Sequence, residues 1–211
     1  MAWVIQLPIL LFSVILHEVA HGWMAERFGD DTARVMGRLT FNPLPHIDML
    51  GTIILPVLAV ITGAPIFGWA KPVPVNSYRL RDPQRDMVWV ALAGPLSNLS
   101  LAVVSAFLIW AVRSFPVVPP LLAISLVELL QIVVVINIVL PVFNLIPIPP
   151  LDGSKVLEGF LPPALAYEYR KIEPYGFFII IILLSSGTLW RLVGPIANTM
   201  IRALLVRGPL F

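Results

Sequence analysis

Apolar residues run almost unbroken from Ala2 to Leu16, and a helical pattern continues to Phe28, where Gly29-Asp30-Asp31 ends it. A run of about 20 mostly apolar residues suffices to cross the hydrocarbon core of a bilayer. Met87 to Val112, Leu121 to Phe143 and Tyr175 to Trp190 repeat the pattern and predict further spanning helices. Between these runs the chain changes character. Arg34 to Phe41 alternates weakly, which predicts a small β-hairpin or edge strand. Asn42-Pro43-Leu44-Pro45 and Pro116 to Pro120 read as turns, Lys71 to Asp86 as a polar loop, and Leu151 to Lys171 as a polar connector. Leu50 to Ala70 is apolar but carries Pro56, Gly63 and Pro65, where a hairpin dipping into the membrane could turn back. The expectation is an all-α, polytopic integral membrane bundle. It has about four full spans, a re-entrant segment and a small β-hairpin, in a single domain over residues 1–211.

Composition sharpens this reading. With 58% hydrophobic and only 12% charged residues, the chain is far from the balance of a soluble globular protein. A net charge of +2 points to no nucleic-acid partner. The absence of cysteine excludes disulfides, thiolate catalysis and cysteine-based zinc sites, so a metal centre must use His, Asp or Glu. The first apolar run has no basic leader and continues straight into His17-Glu18, so it is expected to be a retained span and not a signal peptide. Gly94-Pro95-Leu96-Ser97-Asn98 is echoed by Gly194-Pro195-Ile196-Ala197-Asn198, and a shared helix-start signal accounts for the second copy. The chain is expected to have no room for an appended ligand-binding or peptide-binding module.

The strongest chemical signal is His17-Glu18-Val19-Ala20-His21. On a helix, positions i and i+4 share a face, so both imidazoles can reach one zinc ion and Glu18 can serve a metal-activated water as general base. Such groups in an apolar helix are costly and usually functional. A hydrolytic zinc site takes three protein ligands. Two residues stand as candidates for the third: Asp152, after the proline-rich run Pro147-Ile148-Pro149-Pro150, and His46, the only other histidine.

Three segments together resemble the core motifs of the site-2 protease family of intramembrane zinc metalloproteases. They are His17 to His21, Gly94 to Asn98, and Asn144 to Gly153, in the family's order on three core spans. Gly37 to Pro43 and Gly68 to Pro74 further resemble a compact subgroup without peptide-binding or regulatory domains. The resemblance implies that His17, His21 and Asp152 bind one catalytic zinc and that Glu18 activates water. It leaves the role of His46 open. Asn144 and Asn98 are candidates for contacts to a developing oxyanion, or for ties between helices. Glu128, Gln131 and Asn137 share a span with Asn144 and either line a water path or bond between helices.

The implied reaction is amide hydrolysis of another transmembrane protein in or near the bilayer, with the edge strand at Arg34 to Phe41 pairing with the substrate. The competing readings are a catalytically silent zinc-binding relative and a metal transporter. A transporter would not need Glu18 between the histidines. Because the His17 and Asp152 motifs lie at the ends of different spans, the chain between Phe28 and Met87 must cross an even number of times. That assigns Arg27, Arg34, Arg38, Lys71, Arg79, Arg81, Arg85, Lys155, Arg170 and Lys171 to the zinc side, against Arg113, Arg191, Arg202 and Arg207. The positive-inside rule then predicts zinc towards the cytoplasm. A prokaryotic plasma membrane is taken as the expected location, on no residue in particular. Oligomeric state is not legible.

Overall fold

In the computed structural model, the structure describes residues 2–54, 57–58, 61, 70–115 and 118–205. The helices are α1 (Ala2–Arg27), α2 (Thr32–Val35), α3 (Pro83–Ser114), α4 (Pro120–Asn144), α5 (Asp152–Phe160), α6 (Pro163–Arg170), α7 (Glu173–Ser185) and α8 (Thr188–Leu205). Short 3₁₀ turns at Leu44–His46 and Ser77–Arg79 and a π-helical turn at Met49–Ile54 complete the described elements.

Helices α1, α3 and α4 are long and apolar enough to cross a membrane. Helices α7 and α8 are long and apolar enough only as a pair, bent by 77° around Gly187. The expected straight helix from Tyr175 to Trp190 is therefore two helices, and the count of spans is three, or four if the pair is one broken span. Leu151 to Lys171, expected as a connector, folds into α5 and α6.

The termini of these helices follow from local chemistry. Gly29 adopts φ 107° and closes α1 with a Schellman motif: Asp30 N–H donates to Ala25 O and Gly29 N–H to Glu26 O, both at 3.0 Å. Helix α3 starts on Pro83, with the Asp82 carboxylate accepting from Arg85 N–H and Asp86 accepting in return from Asp82 N–H. Helix α4 also starts on a proline, and Pro147, Pro149 and Pro150 prevent its continuation past Asn144.

No strand forms among the described residues, so the expected β-hairpin at Arg34 to Phe41 is absent. Asp30 explains the difference. Its carboxylate accepts from both the N–H and the hydroxyl of Thr32, which starts the one-turn helix α2. Gly37, at φ 66°, then closes that helix with a second Schellman pair: Gly37 N–H to Arg34 O and Arg38 N–H to Ala33 O. Helix-start and helix-stop signals two residues long outweigh a weak alternation.

Pro56, Gly63, Pro65 and most of the expected re-entrant segment lie outside the described residues. Its two flanks are described, and they meet: Lys71 N–H donates to His46 O at 2.8 Å.

The main core lies between α3, α4 and α8. Ala102, Ala106 and Ile109 meet Val134, Ile138, Leu189, Val193 and Ala197 there. Small residues let membrane helices approach closely. Val103, Phe107, Leu121 and Ile124 face outward and exposed, as expected where the surrounding solvent is lipid.

Candidate metal centre

His17 and His21 lie one turn apart on α1 and are both buried. Helix α3 crosses over them at Gly94, where an added Cβ would stand 2.6 Å from His17 Nε2 and nearer still to the His21 ring. Glycine is required by this approach. Asp152 reaches the same point from the first residue of α5, after the proline loop that ends α4. Its Oδ2 lies 2.9 Å from His17 Nε2 and its Oδ1 lies 3.3 Å from His21 Nε2. One ligand atom from each of the three residues falls within 4.8 Å of the others.

The opposite ring nitrogens are also engaged. His21 Nδ1–H donates to Val90 O of α3 at 2.7 Å. His17 Nδ1–H donates to Asn98 Oδ1 at 2.6 Å. The direction of that bond is fixed by a buried chain of groups. Asn98 Nδ2 donates to Ser13 O (3.0 Å) and Asn137 Oδ1 (2.8 Å), while Asn137 Nδ2 donates to Ser13 Oγ (2.8 Å) and Val133 O (2.9 Å). Backbone carbonyls can only accept, so Val133 O turns the Asn137 amide and Ser13 O turns that of Asn98. The Asn137 oxygen therefore faces the Asn98 amide and the Asn98 oxygen faces His17, which must carry a proton on Nδ1. In its neutral form each ring, with its proton on Nδ1, would offer an Nε2 lone pair to a metal beside the carboxylate. Two neutral imidazoles, each anchored through its far nitrogen, and one carboxylate are a donor set that fits zinc.

Glu18, next along α1, is half-buried, and its Oε2 accepts from Val73 N–H at 2.8 Å. Asn98 sits behind His17, on the ring nitrogen opposite Asp152. Asn137 takes the helix-bonding alternative of the two open to it, and Ser13 joins it, a residue that carried no motif to mark it. The Asn144 carboxamide donates to Leu140 O of its own helix at 3.1 Å, and no bond joins it to His17, His21 or Asp152 among the described residues. His46 is fully buried, and its ring bonds to Thr40 O, outside the His17–His21–Asp152 group.

The family model described as "Peptidase family M50" matches residues 6–121 and 119–186. The chain belongs to this family, the site-2 proteases. "Putative zinc metalloprotease YwhC" of Bacillus subtilis is 38% identical over 199 residues, covering 92% of this chain and 87% of the relative. "Putative zinc metalloprotease Rip2" of Mycolicibacterium smegmatis is 34% identical over 86% of this chain and 66% of its own length. "Zinc metalloprotease MJ0392" of Methanocaldococcus jannaschii is 23% identical over 89% of this chain and 44% of its own length. No solved structure matches. With its apolar helices, this M50 member is an integral membrane protein of the metalloprotease type.

Proposed function

We propose that this chain is an intramembrane zinc endopeptidase that hydrolyses peptide bonds of transmembrane proteins in or near the bilayer. One observation carries the reading. Three metal-ligand side chains from α1 and α5 converge with Glu18 alongside, on a framework of spanning helices. His17, His21 and Asp152 are the residues that would hold one zinc ion. The chemistry zinc supplies when bound is Lewis acidity, which polarises a carbonyl and acidifies water towards neutrality. Glu18 takes the proton of the attacking water and returns it to the leaving amide nitrogen. Its tether to Val73 N–H leaves Oε1 free for that proton. The Asn98–Asn137–Ser13 chain keeps His17 in the tautomer that can bind metal.

A transmembrane helix is the substrate class favoured by the site's place on membrane helices. An open groove along α1, lined by Val19, Trp23, Leu39 and Thr40, offers room for an unwound segment. Bacterial and archaeal relatives support a prokaryotic plasma membrane as the location.

The test is Glu18→Gln, which keeps size and hydrogen bonding but removes basicity. Purified in detergent, the variant should retain zinc like wild type and lose about 10²-fold or more in hydrolysis of a transmembrane substrate. A zinc-loaded Glu18→Gln protein that still cleaves would rule out Glu18 as the base. Wild type that cleaves no transmembrane substrate but carries zinc into proteoliposomes, with Glu18→Gln doing the same, would rule the protease function out in favour of transport.

A further inference from the structure

Two conspicuous polar side chains lie buried outside the metal centre. Arg38 is 8% exposed and His46 is not exposed at all. Each keeps a buried nitrogen with no partner among the described residues, Nε of Arg38 and Nδ1 of His46. A buried guanidinium is costly, so its bonds show what it is there to hold. It donates to Pro45 O, and through Nη2 to Lys71 O and Pro72 O, both at 2.9 Å. His46 holds the same stretch through its main chain, its carbonyl accepting from Lys71 N–H. The His46 ring is fixed in turn by its Nε2, which donates to Thr40 O at 3.0 Å.

The next N–H along the chain is that of Val73, the donor to Glu18. Residues 70–76 form no helix or strand, so nothing within the segment sets its position. It is held from outside, by Arg38 and His46 at one end and by Asp30 at the other, where Asn76 N–H donates to Oδ2 at 2.6 Å. Helix α1 is shaped to receive it. Gly22 lies one turn beyond Glu18 on the same face, and a Cβ there would come within 2.8 Å of Val73 Cγ1 and 2.7 Å of Leu39 Cδ2.

We infer that Arg38 and His46 are positioning residues for Glu18: they fix residues 71–73 so that Val73 N–H holds one carboxylate oxygen and aims the other at the attacking water. Arg38 touches neither the metal ligands nor Glu18. It acts through two carbonyls and one peptide link. The inference rests on the reading of Glu18 as base, and it gives Gly37 to Pro43 and Lys71 to Pro74 a shared purpose. One side chain, from the first stretch, clamps the backbone of the second.

The experiment compares wild type, Arg38→Ala, Arg38→Lys and Glu18→Gln as full chains in detergent. It measures zinc content, kcat and KM on a transmembrane peptide, and hydrogen exchange of the Val73 amide. Arg38→Ala should keep its zinc and its KM, lose kcat by up to about 10²-fold, the cost of a small misplacement of a catalytic group, and expose the Val73 amide to faster exchange. Methylguanidine should restore part of that kcat, and Arg38→Lys should fall between, since an ammonium reaches only some of the three carbonyls. Unchanged kcat, or an unchanged Val73 amide, overturns the inference. So does loss of zinc in step with kcat, which would make Arg38 a residue of the fold alone. If Arg38→Ala does not accumulate as folded protein, Arg38→Lys is judged by the same outcomes. Failure of the underlying reading looks different: Glu18→Gln then retains activity, whatever the Val73 amide does.

Discussion

His17 has two ring nitrogens, and zinc needs a particular one of them bare. What decides between them is a run of hydrogen-bonded side chains, beginning at a carbonyl of α4 and passing through Asn137 and Asn98. If that chain sets the tautomer, removing its last acceptor must cost metal affinity even though Asn98 is not a ligand. Asn98→Leu is expected to weaken zinc binding by about 10–100-fold, measured by competition with a chelator, while leaving helix content intact. Affinity equal to wild type would show that His17 needs no acceptor on Nδ1. The His17–His21 pair was legible in the sequence because its geometry is local: four residues on a helix place two rings on one face. Asn98 was legible as a motif but not as a partner of His17. The side of an imidazole it meets depends on where α3 crosses α1, and that crossing is decided by packing.

Between elements, the closest approach in the site is α3 on α1 at Gly94. Gly94→Ala should force the helices apart or turn an imidazole. Zinc affinity is expected to fall by more than about tenfold, with the circular dichroism spectrum preserved. The repeated Gly194-Pro195 supplies the control. A Cβ on Gly194 meets nothing within 4 Å, so Gly194→Ala should keep full zinc affinity. If both variants bind zinc alike, the crossing at Gly94 is looser than it looks. Long elements were the easiest to read from the sequence. An unbroken apolar run in lipid must satisfy its own backbone, and a helix is the direct way to do so. The short ones were not. Two glycines in left-handed conformation and the Asp30 carboxylate made a one-turn helix where alternation suggested a strand, and Gly187 split the last apolar run. The segment that carries Val73 has no periodicity at all. It takes its position from Arg38, more than thirty residues away in sequence.

At the scale of the molecule, the question is which ends of the helices share a side of the membrane. The end of α1 is bonded directly to the approach to α3: Arg81 N–H donates to Phe28 O at 3.2 Å, Asn76 N–H to the Asp30 carboxylate, and Arg79 pairs with Asp31. The flanks of the apolar stretch between them are joined as well, at His46 and Lys71. A chain that crossed once over that stretch would leave those two residues about 30 Å apart. His46 and Lys71 therefore belong on one side of the bilayer, and a re-entrant path between them is the prediction to be tested. Helix α3 then carries the chain away and α4 brings it back, delivering Asp152 to the histidines of α1. Arg27, Arg34, Arg38, Lys71, Arg79, Arg81 and Arg85 gather at that end, whereas the far end of α3 carries Arg113. The positive-inside rule predicts that the crowded end faces the cytoplasm. The absence of cysteine makes this directly testable. Met36 and Tyr78, 62% and 95% exposed, report the crowded end, and Phe115, 58% exposed, reports the other. In inverted membrane vesicles, single cysteines at positions 36 and 78 should react with an impermeant thiol reagent, while one at position 115 should react only in intact cells or spheroplasts. Labelling of positions 36 and 78 from opposite sides would mean that the stretch crosses the membrane. Labelling of both from outside would keep the re-entrant path but place the metal centre at the opposite face.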